Sequence, residues 1–285
     1  IGDLPLVART VVDGVMYGVH PSRMPGAGLE FSQYRSYQAG DDLRRVDWKL
    51  YGRSDRYFVR EAETETTLTV RIAVDASASM AHTEDGISKL EYARYLAAAL
   101  ALLAYRQGDA VGLFGLSNGD LQAVRPGRGQ AQLDRVMHAI ERLEAGGTWP
   151  EWQRVERALA IGGGRGITIV ISDLHERADE IRSALTKLAA MGHDTIVMHL
   201  LGRHELDLRY DGPVVLEELE TGRVVEVDPR IEAPRYLAAV DEEHRALRHA
   251  LAGRRVDYRR FALDEPLDAG LRAFLAERRR ASGAG

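Results

Sequence analysis

The chain has 285 residues, of which 45% are hydrophobic and 28% charged, a balance that suits one large α/β domain or two ordinary ones. Cysteine is absent, which removes disulfide scaffolds, thiolate zinc sites, iron–sulfur clusters and cysteine nucleophiles together. A net charge of −5 argues against a basic nucleic-acid binder, so no nucleic-acid partner is expected.

The longest apolar run, Leu96 to Ala104, falls far short of the roughly 20 residues a membrane helix needs. Ile1 to Arg23 mixes apolar residues with Asp3, Arg9, Asp13 and Arg23, which is no secretory signal. Membrane insertion is therefore not expected, and the expected location is cytoplasmic.

Residues 1–66 show little clean periodicity and carry turn signals at His20-Pro21, Pro25-Gly26 and Gly40-Asp41-Asp42. They read as an N-terminal arm, with the main domain over 67–285. Leu68, Val70, Ile72 and Val74 recur at period two and predict a strand. Leu90, Ala93, Ala97, Leu100 and Ala104 predict a long amphipathic helix. Val111 to Leu116 is a second strand, with Leu121 to Val124 pairing back onto it. Leu133, Val136, Met137, Ile140 and Leu143 form another helical stripe, and Pro150 introduces a short helix over 151–161. Ile167 to Ile171 is a continuous β-branched run, as in a strand buried on both faces. A helix through Ile181, Leu185, Leu188 and Met191 follows, then a strand over 195–201. The C-terminal part predicts a hairpin about Thr221-Gly222, a helix from about Arg235 to Ala252, a strand near 256–263 and a helix over 267–280. Strands alternating with helices predict a mostly parallel, Rossmann-like α/β sheet flanked by helices, with C-terminal hairpin and helix extensions.

Asp75-Ala76-Ser77-Ala78-Ser79 follows the first clear strand and precedes the long helix. One carboxylate and two hydroxyls spaced two apart are hard oxygen donors suited to Mg²⁺ or Mn²⁺, though Ser and Asp before a helix are also ordinary caps. Gly146-Gly147-Thr148 adds a hydroxyl beside permissive glycines, and Asp173 ends the buried strand. In an open α/β sheet such strand-end loops collect along one edge. The candidate metal set is thus Asp75, Ser77, Ser79, Thr148 and Asp173.

These positions resemble the metal-ion-dependent adhesion site of von Willebrand factor A domains. The run Arg35-x-Tyr37-x-x-Gly40-Asp41-Asp42-Leu43-Arg44-Arg45-Val46-Asp47-Trp48-Lys49 resembles the signature of the bacterial family Domain of Unknown Function 58. Ser88 to Ala93, Gln107 to Gly112 and Ile171 to Leu174 also resemble it, so the likeness spans about Leu4 to Arg280. The resemblance implies a von Willebrand factor A-like fold and a protein-binding adaptor. It also implies a bound divalent cation, Mg²⁺ or Mn²⁺, whose coordination a partner carboxylate would complete. The partner it implies is a MoxR-type AAA+ ATPase. Within the signature, Arg35, Tyr37, Asp41, Asp42, Arg45, Asp47 and Trp48 are candidates for a partner surface, against the plainer reading of an internal ion-pair network.

Other signals point to enzymes. Gly115-Leu116-Ser117-Asn118-Gly119 matches G-x-S-x-G, with Asp173 and His193 or His199 downstream, but the strand-like residues after it favour a hairpin over a nucleophile elbow. Metal-assisted phosphoryl transfer through the same carboxylates is another reading. No general base or phosphate-clamping Arg or Lys is tied to the metal loops by sequence. Gly162 to Gly166 precedes a strand, whereas a phosphate cradle follows one. His82 and His175, near the metal loops, read as solvated. A metal-free structural adaptor remains a third reading, and no catalytic residue is assigned.

Overall fold

The computed structural model describes residues 3–19, 33–37, 51–53, 56–61, 68–160, 166–175, 178–190, 194–208, 210–219, 221–251 and 256–282. They divide into two units, residues 1–20 with 68–285, and residues 21–67.

In the larger unit the chain begins with helix α1, Leu4–Val19. Leu4, Ala8, Val11, Val12 and Val15 fall on one face and are buried. The smaller unit contributes an antiparallel pair, β1 (Gln33–Ser36) and β2 (Phe58–Glu61). Within it the Tyr51 and Tyr57 rings stack at 4.5 Å. The arm expected over residues 1–66 is therefore not one piece. Its first helix belongs to the main unit, because a buried 3.6-residue stripe is present behind the interspersed Asp3, Arg9 and Asp13.

The main sheet is built from β3 (Thr69–Asp75), β6 (Ala110–Ser117), β7 (Asp120–Gly127), β8 (Gly166–Ser172), β9 (Asp194–Leu201) and β12 (Val256–Ala262). Between β3 and β6 lie a short 3₁₀ turn, Ala78–Ala81, a two-residue pair, β4 (Thr83–Glu84) with β5 (Ile87–Ser88), and helix α2, Lys89–Arg106. Ser88 caps α2, its hydroxyl accepting from the Glu91 amide. Strand order is β12-β9-β8-β3-β6-β7, parallel throughout except for β7, which returns antiparallel from β6. Pro126 lies on β7, the edge strand, where its missing N–H breaks no central ladder.

The remaining helices are α3 (Gln130–Glu141), α4 (Trp152–Ala160), α5 (Ala178–Ala190), α6 (Arg203–Asp207), α7 (Pro229–Leu251) and α8 (Leu267–Ser282). A further hairpin, β10 (Val214–Glu217) with β11 (Val224–Val227), precedes α7. Alternation on β3 sends Val70, Ile72 and Val74 into a core shared with α1, α2, α3 and α8. Ala73 faces the opposite core with Phe114, Val170 and Val197, closed by Val155 and Leu159 of α4, Leu185 and Leu188 of α5 and Leu247 of α7. The predicted mostly parallel α/β sheet flanked by helices is the architecture observed. Helix α7 begins earlier than the expected start near Arg235: Pro229 starts it, where a missing N–H costs nothing, and Pro234 lies inside.

Candidate functional site

Strand β3 ends in Asp75 and β8 ends just before Asp173, and these neighbouring parallel strands deliver both carboxylates to the C-terminal edge of the sheet. Asp75 and Ser77 are wholly buried and Asp173 nearly so, while Ser79 is half-buried. Asp75 Oδ1 accepts from the Ser77 amide at 2.8 Å and from Ser77 Oγ at 2.7 Å. Ser77 Oγ lies 3.2 Å from Ser79 Oγ, which donates to Asp173 Oδ1 at 3.1 Å. Four of the five expected donors thus form one continuous chain of hydrogen bonds.

Thr148 joins through its loop. The Ala78 amide donates to the Gly147 carbonyl at 2.9 Å, and the Gly146 amide to the Ala76 carbonyl at 2.9 Å. Gly147 has φ 59°, and a Cβ there would lie 2.7 Å from Asn118 Cα, so only glycine fits this approach. The Thr148 side chain itself is exposed.

Several residues at the site were not predicted. Ser172 Oγ donates to Asp75 Oδ2 at 2.5 Å. Lys89, first residue of α2, is buried and donates to Asp173 Oδ2 at 2.9 Å and to Glu205 Oε1 at 2.6 Å. It is the basic group that the loops alone did not offer, and both carboxylates already engage it. His175, read as solvated, is half-exposed yet lies 3.0 Å from Glu205 Oε1. His199 donates from Nε2 to the Asp173 carbonyl at 2.9 Å and accepts at Nδ1 from the Tyr258 hydroxyl at 2.7 Å. A cavity of about 80 Å³ opens beside Asp173, lined by Leu174, His175, His199, Tyr236 and His244 among others. In the sequence, Lys89 was visible only inside a family-like run, and Ser172 only as the neighbour of Asp173.

The electrostatics follow from burial. Desolvation, with the nearby charge of Asp173, pushes the Asp75 pKa up to about 6 against the hydrogen bonds from Ser172 and Ser77. Burial would also raise Asp173 and Glu205. The Lys89 ammonium and His175 outweigh it for Asp173, and the His175 hydrogen bond with the Lys89 charge does so for Glu205, so both lie below the usual carboxylate range. Burial drives His199 down to about 3, keeping it neutral.

These residues fit a hard divalent cation. Asp75 is bonded only to hydroxyl and amide donors, and among the described residues no cationic side chain pairs with it. Among the described residues no group of three or more His, Cys, Asp or Glu could hold a metal. The set here has two carboxylates, and its other donors are hydroxyls, the oxygen chemistry that Mg²⁺ accepts while keeping water ligands.

The G-x-S-x-G run does not form a nucleophile elbow. Ser117 pairs with Asp120 across a tight hairpin between β6 and β7, with Asn118 and Gly119 both at positive φ.

A model of the family described as "Protein of unknown function DUF58" matches residues 33–247. The chain belongs to this family. Two relatives extend the match over almost all of the DUF58 chain: Uncharacterized protein Rv1480 of Mycobacterium tuberculosis (strain ATCC 25618 / H37Rv) and Uncharacterized protein Mb1516 of Mycobacterium bovis. Each is 30% identical over 292 residues, 99% of this chain and 90% of the relative. Among solved structures it is similar to the conserved hypothetical protein BatB from Bacteroides thetaiotaomicron, at 16% identity and TM-score 0.45, covering 74% of this chain and 98% of that one. It is also similar to the SpRpn10 VWA domain, at 12% identity and TM-score 0.42, covering 74% and 95%. Of this DUF58 chain's signature segment, Arg35 lies on β1 and Tyr37 follows it, the Tyr37 amide donating to the Tyr57 carbonyl at 2.9 Å. Asp41, Asp42, Arg45, Asp47 and Trp48 lie outside the described residues. Among the described residues no helix is long and apolar enough to cross a membrane.

Proposed function

We propose that this chain is a protein-binding adaptor that depends on a divalent cation, Mg²⁺ or Mn²⁺. The residues that would hold the ion are Asp75, Ser77, Ser79, Thr148 and Asp173. The observation that carries the reading is Asp75: a fully buried carboxylate beside a second one, with no cationic side chain paired to it among the described residues. Burying such a charge is costly unless a counter-charge compensates it. Lys89 cannot do this for both carboxylates, because Asp173 and Glu205 already engage it.

When bound, the ion supplies a positive charge with a coordination position left for a Glu or Asp of the partner, a charge-assisted contact of strict geometry. Around it, Ser77 and Ser172 orient Asp75, Lys89 orients Asp173, and the stitched Gly146–Gly147 backbone holds the Thr148 loop. Solvent reaches this edge on the side of Ser79 and Thr148, which is where a partner would dock. The partner class we propose is a MoxR-type AAA+ ATPase, as the family-like motifs suggest, with the Arg35–Trp48 signature as a second contact.

Titration calorimetry with Mg²⁺ and Mn²⁺ tests the ion: the wild type binds and Asp75→Ala does not, and unchanged binding in the variant overturns it. Capture of the partner from lysate with and without chelator tests the bridge, because equal capture in both removes the metal from the interaction.

A further inference from the structure

Three buried polar side chains on the α4–α5 face of the sheet lack partners among the described residues. Arg71 on β3 is in register with Thr168 on β8, and Thr168 with Thr195 on β9, so the three stand in one row across adjacent strands. Arg71 and Thr168 have no exposed surface and Thr195 has 1%. Among the described residues, none hydrogen-bonds the Arg71 Nε, Nη1 or Nη2, the Thr168 Oγ1 or the Thr195 Oγ1. A Cβ at Gly166 would lie 2.8 Å from Arg71 Nη1, which puts the guanidinium against β8 two residues before Thr168, where a side chain would displace it. This row sits towards the N-terminal ends of the strands, whereas Asp75 and Asp173 sit at the C-terminal ends.

A guanidinium does not shed its proton on burial as a lysine can, so it needs a counter-charge. Water would satisfy its N–H groups and leave that charge uncompensated. A planar donor fork with two unpartnered hydroxyls beside it in the same cross-strand row is complementary to an oxyanion, and its charge excludes a metal ion.

We propose that Arg71, Thr168 and Thr195 form a buried binding site for a small oxyanion, a carboxylate or a phosphate group, separate from the metal-binding edge. Two oxygens of the anion accept the guanidinium fork, and the threonine hydroxyls donate to its remaining lone pairs. A bound anion stabilises the fold in proportion to its occupancy.

The test is thermal unfolding and titration calorimetry of the full chain with sodium phosphate and with sodium acetate, against sodium chloride at matched ionic strength. The wild-type Tm rises with at least one oxyanion, and the one that acts names the class. Arg71→Met abolishes the response, and in oxyanion-free buffer it melts no lower than wild type, because it removes an uncompensated charge. Thr168→Val and Thr195→Val, near-isosteric changes that keep the fold if Arg71→Met does not, weaken binding by about tenfold each. A wild type indifferent to both oxyanions, or an equal response in Arg71→Met, overturns the proposal. So does an Arg71→Met variant that melts lower in oxyanion-free buffer, since a carboxylate of the chain itself then neutralises Arg71.

Discussion

The Lys89 ammonium donates to Asp173 over 2.9 Å with both side chains essentially closed to solvent, and the same nitrogen reaches Glu205 at 2.6 Å. The start of α2, the end of β8 and the short helix α6 are thereby locked together at the sheet edge. Removing one partner of a buried ion pair leaves the other charge uncompensated. Lys89→Met is expected to lower unfolding stability by about 3–5 kcal/mol in urea titration. Glu205→Gln costs less, because Glu205 is partly exposed. Equal costs would show that the ion pairs are not what holds this edge.

Asp75 gives a pH signature in protein stripped of divalent ions. Its folded-state pKa is raised from 3.8 to about 6, so the folded state holds a proton that the unfolded state has lost. Its favourable contribution is complete below about pH 4 and is lost as pH rises through about 6. Asp75→Asn therefore stabilises the metal-free protein at pH 7, by on the order of 1–3 kcal/mol. The gain shrinks as pH falls towards 4. Chemical denaturation of both proteins in chelator across pH 4–7 checks this, and a pH-independent difference contradicts it.

His199 acts in the opposite sense. Its folded-state pKa falls from 6.5 to about 3, so between those values the unfolded state binds a proton that the folded state refuses. Stability from this group is present above pH 6.5 and is lost as pH falls towards 3, with a slope of up to about 1.4 kcal/mol per pH unit. His199→Gln is expected to flatten the acid limb of the stability profile by about that slope, whatever its effect at pH 7. An unchanged acid limb means His199 is protonated in the fold.

The first helix gives a packing contrast. Val12 is 1% exposed in the core shared with α2, whereas Leu6 on the same helix is 61% exposed. Val12→Ala is expected to cost about 2 kcal/mol and Leu6→Ala at most about 0.5 kcal/mol in equilibrium unfolding. Similar small effects at both sites would detach α1 from the main unit.

Local periodicity predicted most of the main elements, and the hairpin following Ser117 was legible in the strand-like residues after it. Period two on β3 and the β-branched run of β8 record burial of one or both faces, which is a property of each segment alone. Helix α1 was harder to read, because Arg9 and Asp13 interrupt its buried stripe and its partners α2, α3 and α8 all lie far along the chain.

The sequence by itself determined the alternation of strand and helix, and with it the delivery of Asp75 and Asp173 to one sheet edge. Parallel strands joined by helical crossovers leave their C-terminal ends together whatever the details of packing. Only the tertiary structure decided what surrounds those carboxylates. Lys89 stands 84 residues from Asp173 and 116 from Glu205 in the chain, and Ser172 reaches Asp75 across 97. No periodicity encodes such pairings: they arise from strand order and from the cost of leaving buried charges and hydroxyls unpaired. The same cost singles out Arg71, which reads in sequence as one more residue of a strand and becomes, once the sheet has closed around it, a buried guanidinium with no hydrogen-bond partner among the described residues.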